Sequence, residues 1–150
     1  MDQKQEKIAI GADHAGYALK EKIKRHFSER GYVFRDFGTH TDKSTDYPDH
    51  IHPLARAVDE GEHAVGVILC GSGNGASITA NKHRGVRAAL CWEPEIARLA
   101  RAHNDANIIA LPARFIEDGP ALEAVELFLR TPFEGGRHQE RVRKISLTGG

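Results

Sequence analysis

A cysteine stands where an apolar run meets a glycine-rich turn, in Val65-Gly66-Val67-Ile68-Leu69-Cys70-Gly71-Ser72-Gly73-Asn74-Gly75-Ala76-Ser77. The run before it has the composition of a strand buried on both faces. Helix-compatible sequence resumes over 76–82. Cys70 is therefore expected at a strand end, facing several backbone N–H groups and the positive end of a helix. Such a place binds anions, stabilises negative charge that develops during a reaction, and favours the thiolate of a cysteine. A strand-end cysteine that merely packs as a small apolar residue is the bland alternative. The glycines after Cys70 supply access and donors, so it reads as functional; Cys91 lacks that setting and reads as core.

Other residues could share the chemistry. Asp13 and His14 follow the first apolar run, in Gly11-Ala12-Asp13-His14-Ala15-Gly16. His103 falls on a stripe with Ile96, Leu99 and Ala100, just before Asn104-Asp105-Ala106-Asn107. Spacing alone leaves it open between an acid–base group and a packed structural histidine. Arg137, Arg141 and Lys144 recur at helical spacing, with Val142 and Ile145 on another face. Such a stripe is either a solvated surface or a phosphate grip.

Several familiar templates fit poorly. Gly71-Ser72-Gly73-Asn74-Gly75-Ala76 satisfies the dinucleotide pattern, with Glu93 as the acidic residue, but it follows the third strand and a cysteine precedes it. A nucleoside-triphosphate loop needs Gly-Lys-Ser/Thr, which is absent, and a cysteine-phosphatase loop needs an arginine where Ala76 stands. His50 and His52 would point to nearly opposite faces of a helix and have no third ligand nearby, so no metal site is expected.

The elements that must position these residues alternate. Strands are expected at 7–11, 33–37, 65–70, 86–92 and 108–111. Helices are expected at 15–30, from the polar loop before Asp46-Tyr47-Pro48-Asp49 to near 61, at 76–82, from Pro94, at 120–130 and at 138–147. Ala15, Leu19, Ile23 and Phe27 form the apolar stripe of the first helix, and Gly31 ends it. Alternation of this kind predicts an α/β protein: a five-stranded parallel sheet with helices on both faces and a C-terminal helix. The common strand order is 2-1-3-4-5, with a switch point between the first and third strands where ligands sit. The Asp13 and Cys70 loops would meet there.

Composition narrows the partners. In 150 residues, 21 lysines and arginines balance 21 aspartates and glutamates, so no global field draws nucleic acid or an anionic membrane. No apolar run approaches the roughly 20 residues of a membrane span, and the polar start lacks a signal peptide's apolar segment. Two cysteines without a disulfide framework suit a reduced, cytoplasmic protein. No repeat or linker divides the chain, so one domain over 1–150 is expected.

Six motifs occur together in order: Gly11-Ala12-Asp13-His14-Ala15-Gly16, Thr45-Asp46-Tyr47-Pro48, Cys70-Gly71-Ser72-Gly73-Asn74-Gly75, Ala80-Asn81-Lys82, His103-Asn104-Asp105-Ala106-Asn107 and Glu134-Gly135-Gly136-Arg137-His138-Gln139. In this combination the chain resembles the type B ribose-5-phosphate isomerase family, which also contains galactose-6-phosphate isomerase subunits. The resemblance implies a Rossmann-like fold and a homodimer or tetramer with the active site between subunits. It also implies metal- and cofactor-independent aldose–ketose isomerisation of a small sugar phosphate, ribose 5-phosphate to ribulose 5-phosphate. The nearest alternative is a six-carbon substrate such as allose or galactose 6-phosphate. Outside the class, a non-catalytic nucleotide- or sugar-phosphate-binding module could use the same loop.

By the same resemblance, Cys70 would move the proton between C1 and C2, His103 would assist ring opening, and Asp13 would handle hydroxyl protons. Ser72 and the amides of Gly71, Gly73, Asn74 and Gly75 would stabilise the enediolate oxygen. Arg137 and Arg141, with His14, would hold the phosphate; Tyr47, Asn104 and Arg114 would support binding. One branch of the family replaces the cysteine by a glutamate later in the loop. The Gly-Ser-Gly-Asn-Gly run resembles that branch, yet the glutamate position is Ala76, which leaves Cys70 as the base.

Overall fold

The computed structural model describes residues 6–147. In chain order the elements are β1 (Lys7–Ala12), α1 (Tyr17–Ser28), β2 (Val33–Asp36), α2 (Tyr47–Asp59), β3 (Gly66–Cys70) and α3 (Asn74–Ala80). They continue with β4 (Ala88–Leu90), α4 (Pro94–Asn104), β5 (Ile108–Pro112), α5 (Asp118–Arg130) and α6 (Arg137–Arg143). All strands pair in parallel in one five-stranded sheet. The expected α/β architecture is present, including a C-terminal helix, though α6 ends at Arg143 rather than at 147, and 148–150 lie outside the described residues.

Alternate strand residues enter two separate cores, as the pleat requires. Ile8, Ile10, Val67, Leu69, Ile109 and Leu111 meet Leu19, Ile23 and Phe27 of α1, Ala97 and Ala100 of α4, and Val125 and Phe128 of α5. On the other face Ala9, Ile68, Cys70, Ile108 and Ala110 meet Ile51, Leu54 and Val58 of α2 with Ala76 and Ala80 of α3. The side chain of Cys70 thus belongs to the α2–α3 face.

The strand order is β2-β1-β3-β5-β4, not the expected 2-1-3-4-5. Handedness explains the exchange. A right-handed crossover lays its helix on one face when it moves one way along the sheet, and on the other face when it moves back. Since α4 packs with α1 and α5, the β4-to-β5 step must return toward β1. Burial agrees: all of β5 is buried, whereas every residue of the three-residue β4 is half-buried, as suits an edge. The expected strand over 86–92 shrinks to Ala88–Leu90 because the Val86 N–H turns back to His83 O, and Arg87 N–H bonds the Asn107 side chain. The switch point between β1 and β3 is unaffected.

Candidate active site

Strand β3 delivers Cys70 beside Pro112, at the end of the sheet where β5 also finishes. The carbonyls of Cys70 and Gly71 accept the N–H groups of Ala113 and Arg114, each at 2.9 Å, which ties the loop to the end of β5. Gly73 turns the chain into α3 at φ +78°, in the left-handed region. A side chain there would lie 2.4 Å from Leu90 Cδ1. The Ser72 hydroxyl accepts the Asn74 N–H at 3.2 Å. Cys70 is a free thiol, 5% exposed.

The segment after β1 lies against this loop. Asp13 N–H donates to Leu69 O, and a side chain on Gly16 would stand 2.7 Å from Leu69 Cβ. The buried Asp13 carboxylate accepts the N–H groups of Ala15 and Gly16 through Oδ1, at 3.0 and 3.1 Å. It therefore builds the turn as well as lining the crevice. His14 Nδ1 lies 3.1 Å from the Thr45 amide nitrogen and 3.3 Å from its carbonyl oxygen, which ties the ring to the segment before α2. Tyr47 opens α2 with its ring over Gly75, whose added Cβ would be 2.4 Å from Tyr47 Cζ. Arg114 covers Gly71 in the same way, with Nη1 3.3 Å from the corresponding point, and it has no carboxylate partner among the described residues.

One chain therefore brings together Asp13, His14, Tyr47, Cys70, Gly71, Ser72, Gly73, Asn74, Gly75 and Arg114. It does not bring His103, Asn104, Arg137 and Arg141 to them. His103 and Asn104 end α4, just before Ile108, which opens β5 beside Gly66, the first residue of β3. They stand at the opposite end of the sheet from Cys70, about 13 Å away along β3 alone. Glu134 N–H donates to Ala102 O at 2.9 Å and holds the start of α6 to the end of α4. Arg137 and Arg141 project there, exposed and without carboxylate partners among the described residues.

The stripe expected to bury His103 is wrongly phased. Ile96 is 44% exposed, and Ala97, Ala100 and Ala102 are the buried residues of α4, which leaves His103 half-buried. Its ring stacks on that of His138, with centroids 4.1 Å apart and planes 12° apart. Glu134 Oε1 lies 3.8 Å from His103 Nε2 and 3.6 Å from His138 Nε2. Desolvation, then the neighbouring His103 and Arg137, hold the His138 imidazolium below its ordinary range. Neither Glu134 nor His138 stood out as a site residue in the sequence. Their i, i+4 spacing inside one motif was the available signal.

Elsewhere, burial pushes the Cys91 thiol up to about 12, in keeping with its place in the core. His50 and His52 diverge as expected: His50 Nε2 meets Thr45 Oγ1 at 3.0 Å, and His52 Nδ1 meets His83 Nε2 at 2.8 Å. A cavity of about 670 Å³ opens between Asn81, Arg84, Arg87 and residues 145–147; it takes in Asn104 but not the Cys70 loop. Among the described residues no helix is long and apolar enough to cross a membrane.

A parallel α/β sheet with a cysteine, a glycine loop and an aspartate–histidine turn at its switch point defines an open-sheet protein that handles a small polar ligand there. The family model described as "Ribose/Galactose Isomerase" matches residues 8–145, and the chain belongs to that family. It is accordingly an isomerase. Ribose-5-phosphate isomerase B of Escherichia coli (strain K12) is 45% identical over 140 residues, 93% of this chain and 94% of that protein. The crystal structure of a Thermotoga maritima ribose 5-phosphate isomerase superposes with a TM-score of 0.92 at 48% identity, covering 95% of this chain and 98% of the other. Ribose-5-phosphate isomerase B of Mycoplasma genitalium, solved with bound ribulose-5-phosphate, gives a TM-score of 0.89 at 38% identity, covering 94% of each chain.

Proposed function

We propose that the protein interconverts D-ribose 5-phosphate and D-ribulose 5-phosphate, in a site shared between two copies of the chain. The observation that carries the substrate is the Mycoplasma genitalium relative, 38% identical and solved with bound ribulose-5-phosphate. The need for a second copy follows from the distance between the two ends of the sheet. An acid–base group acts within roughly 3 Å of the proton it moves. Cys70 and His103 of one chain cannot both reach one small sugar, so His103, Asn104, Arg137 and Arg141 come from a second copy.

In this reading Arg137 and Arg141 of the second copy, with His14, bind the phosphate and fix the sugar's register. His103 passes a proton from the anomeric hydroxyl to the ring oxygen as that C–O bond breaks, leaving the open-chain aldehyde. The Cys70 thiolate then takes the C2 proton, and the electron pair moves to form an enediolate. Donors in the 71–75 loop and the Ser72 hydroxyl meet the oxyanion, which is most charged near the transition state. Cys70 returns the proton to C1, while the hydroxyl proton moves from O2 to O1 with Asp13 at hand. No other base lies in the loop: Ala76 is fully buried and apolar.

The test is conversion of ribose 5-phosphate by wild type and Cys70→Ala, with a chelator present. Chelator-resistant turnover that disappears in the variant supports the reading. Turnover retained by Cys70→Ala removes the cysteine base. An inactive, folded wild type moves the substrate to a six-carbon sugar phosphate.

A further inference from the structure

The cluster at the end of α4 holds a ligand set that proton transfer does not require. One atom each from His103, Glu134 and His138 lies within 4.8 Å of the other two. Two imidazole nitrogens and one carboxylate oxygen form the donor set of open zinc sites, whose fourth position is left to water or a ligand. We propose that His103, Glu134 and His138 bind a divalent transition cation of the zinc class, and that this cation inhibits the enzyme by withdrawing His103 from the reaction. The inhibitory half rests on the role given to His103 above; the binding half does not.

The site is partly preassembled. His138 is buried on α6, and the backbone of Glu134 is bonded to Ala102 O, so two ligands are anchored before any ion arrives. Among the described residues the Glu134 carboxylate pairs with no lysine or arginine; its close partners are the two imidazoles. Its charge is thus available to a cation. Tetrahedral zinc with bonds of roughly 2.0–2.1 Å spaces its ligand atoms about 3.4 Å apart. The nitrogen–oxygen separations of 3.8 and 3.6 Å are near that value. The remaining adjustment is angular. Nearly parallel stacked rings must fan apart for their lone pairs to converge, and the half-buried His103 ring is the one with room to turn. Arg137 and Arg141 on α6 oppose a positive ion, and the Glu134 carboxylate between the two imidazoles counters them. Imidazole donors favour zinc, nickel or copper over magnesium or calcium.

Cobalt(II) serves as the spectroscopic probe, titrated into chelator-treated, dialysed protein without substrate. The expected result is one ion per chain with visible d–d bands and no thiolate charge-transfer band. Zinc should displace the ion and magnesium should not. Glu134→Gln and His138→Gln should each weaken binding at least about tenfold, whereas His83→Gln, in the separate His52 pair, should leave it unchanged. Zinc should inhibit wild-type turnover reversibly, and Glu134→Gln should need at least about tenfold more zinc for the same inhibition. Three results would overturn binding at this site: no cobalt spectrum at micromolar metal, a thiolate band that reports Cys70, or affinity indifferent to Glu134 and His138. Zinc bound at this site with turnover unchanged overturns the inhibitory half. Failure of the isomerase reading would show separately, as absent turnover in the metal-free protein.

Discussion

Cys70 closes β3 beside Pro112, where β5 ends, while His103 lies in the last turn of α4, next to the start of β5. The parallel sheet sets this separation, because α4 runs back from the carboxyl end of β4 to the amino end of β5. Residues given to one reaction are therefore split between two ends of one chain. The exposed Arg137, which has no carboxylate partner among the described residues, is expected to grip phosphate for the site of a second copy. Arg137→Ala should raise KM for ribose 5-phosphate about 10–100-fold, the worth of a hydrogen bond to a charged group. An unchanged KM in steady-state kinetics would return Arg137 to solvated surface.

Asp13 has a structural and a chemical task that can be separated. Its Oδ1 caps Ala15 and Gly16, a bond an asparagine can also accept. Asp13→Asn should keep the wild-type melting temperature yet lose kcat. Asp13→Ala should in addition cost about 0.5–2 kcal/mol of stability, as lost caps do. If Asp13→Asn keeps full kcat, the carboxylate only builds the turn.

Gly73 should resist substitution on backbone grounds. At φ +78°, with Leu90 Cδ1 2.4 Å from an added Cβ, alanine is both strained and crowded. Gly73→Ala should cost about 1–3 kcal/mol in chemical denaturation. Gly119 in α5 has nothing within 4 Å of that position and no positive φ. Gly119→Ala should be neutral, or stabilising by up to about 1 kcal/mol. Equal effects of the two substitutions would contradict the strain argument.

Much of this was legible in the chain. Continuous apolar runs in 65–70 and 108–111 foretold strands buried on both faces, and the glycines after Cys70 foretold the loop. The exchange of β4 and β5 was not legible, because 86–92 reads as a full strand and only the fold shortens it to the half-buried edge Ala88–Leu90 beside the fully buried β5. The phase of α4 misled because small alanines, Ala97 and Ala100, are buried while the larger Ile96 is exposed. The stacking of His138 on His103 joins helices far apart in sequence, which no local periodicity encodes.

Lys20 has no exposed side-chain surface and pairs with Asp36, which also accepts Lys24 Nζ at 2.9 Å and Gly38 N–H at 2.8 Å. Burial alone would raise the Asp36 pKa, but these hydrogen bonds outweigh it and lower the pKa. A carboxylate lowered in the folded state contributes stability that is full above its unfolded value, near pH 4, and is lost as pH falls through the folded value. Asp36→Asn leaves the buried Lys20 with the half-exposed Glu21, 2.9 Å away, as its one remaining carboxylate among the described residues, and should cost up to about 3 kcal/mol near neutrality. The gap from wild type should close as thermal melts are taken from pH 5 down to pH 2. A gap independent of pH would contradict the linkage.

The shared site is tested most directly by mixing two inactive variants, Cys70→Ala and His103→Ala, under conditions where subunits exchange. If each site draws Cys70 from one copy and His103 from the other, a mixed dimer has one intact site and one doubly damaged site. An equal mixture should then recover about a quarter of wild-type isomerase activity, by random pairing in a two-fold dimer. No recovery in a mixture shown by mass spectrometry to contain the mixed dimer would contradict the shared site.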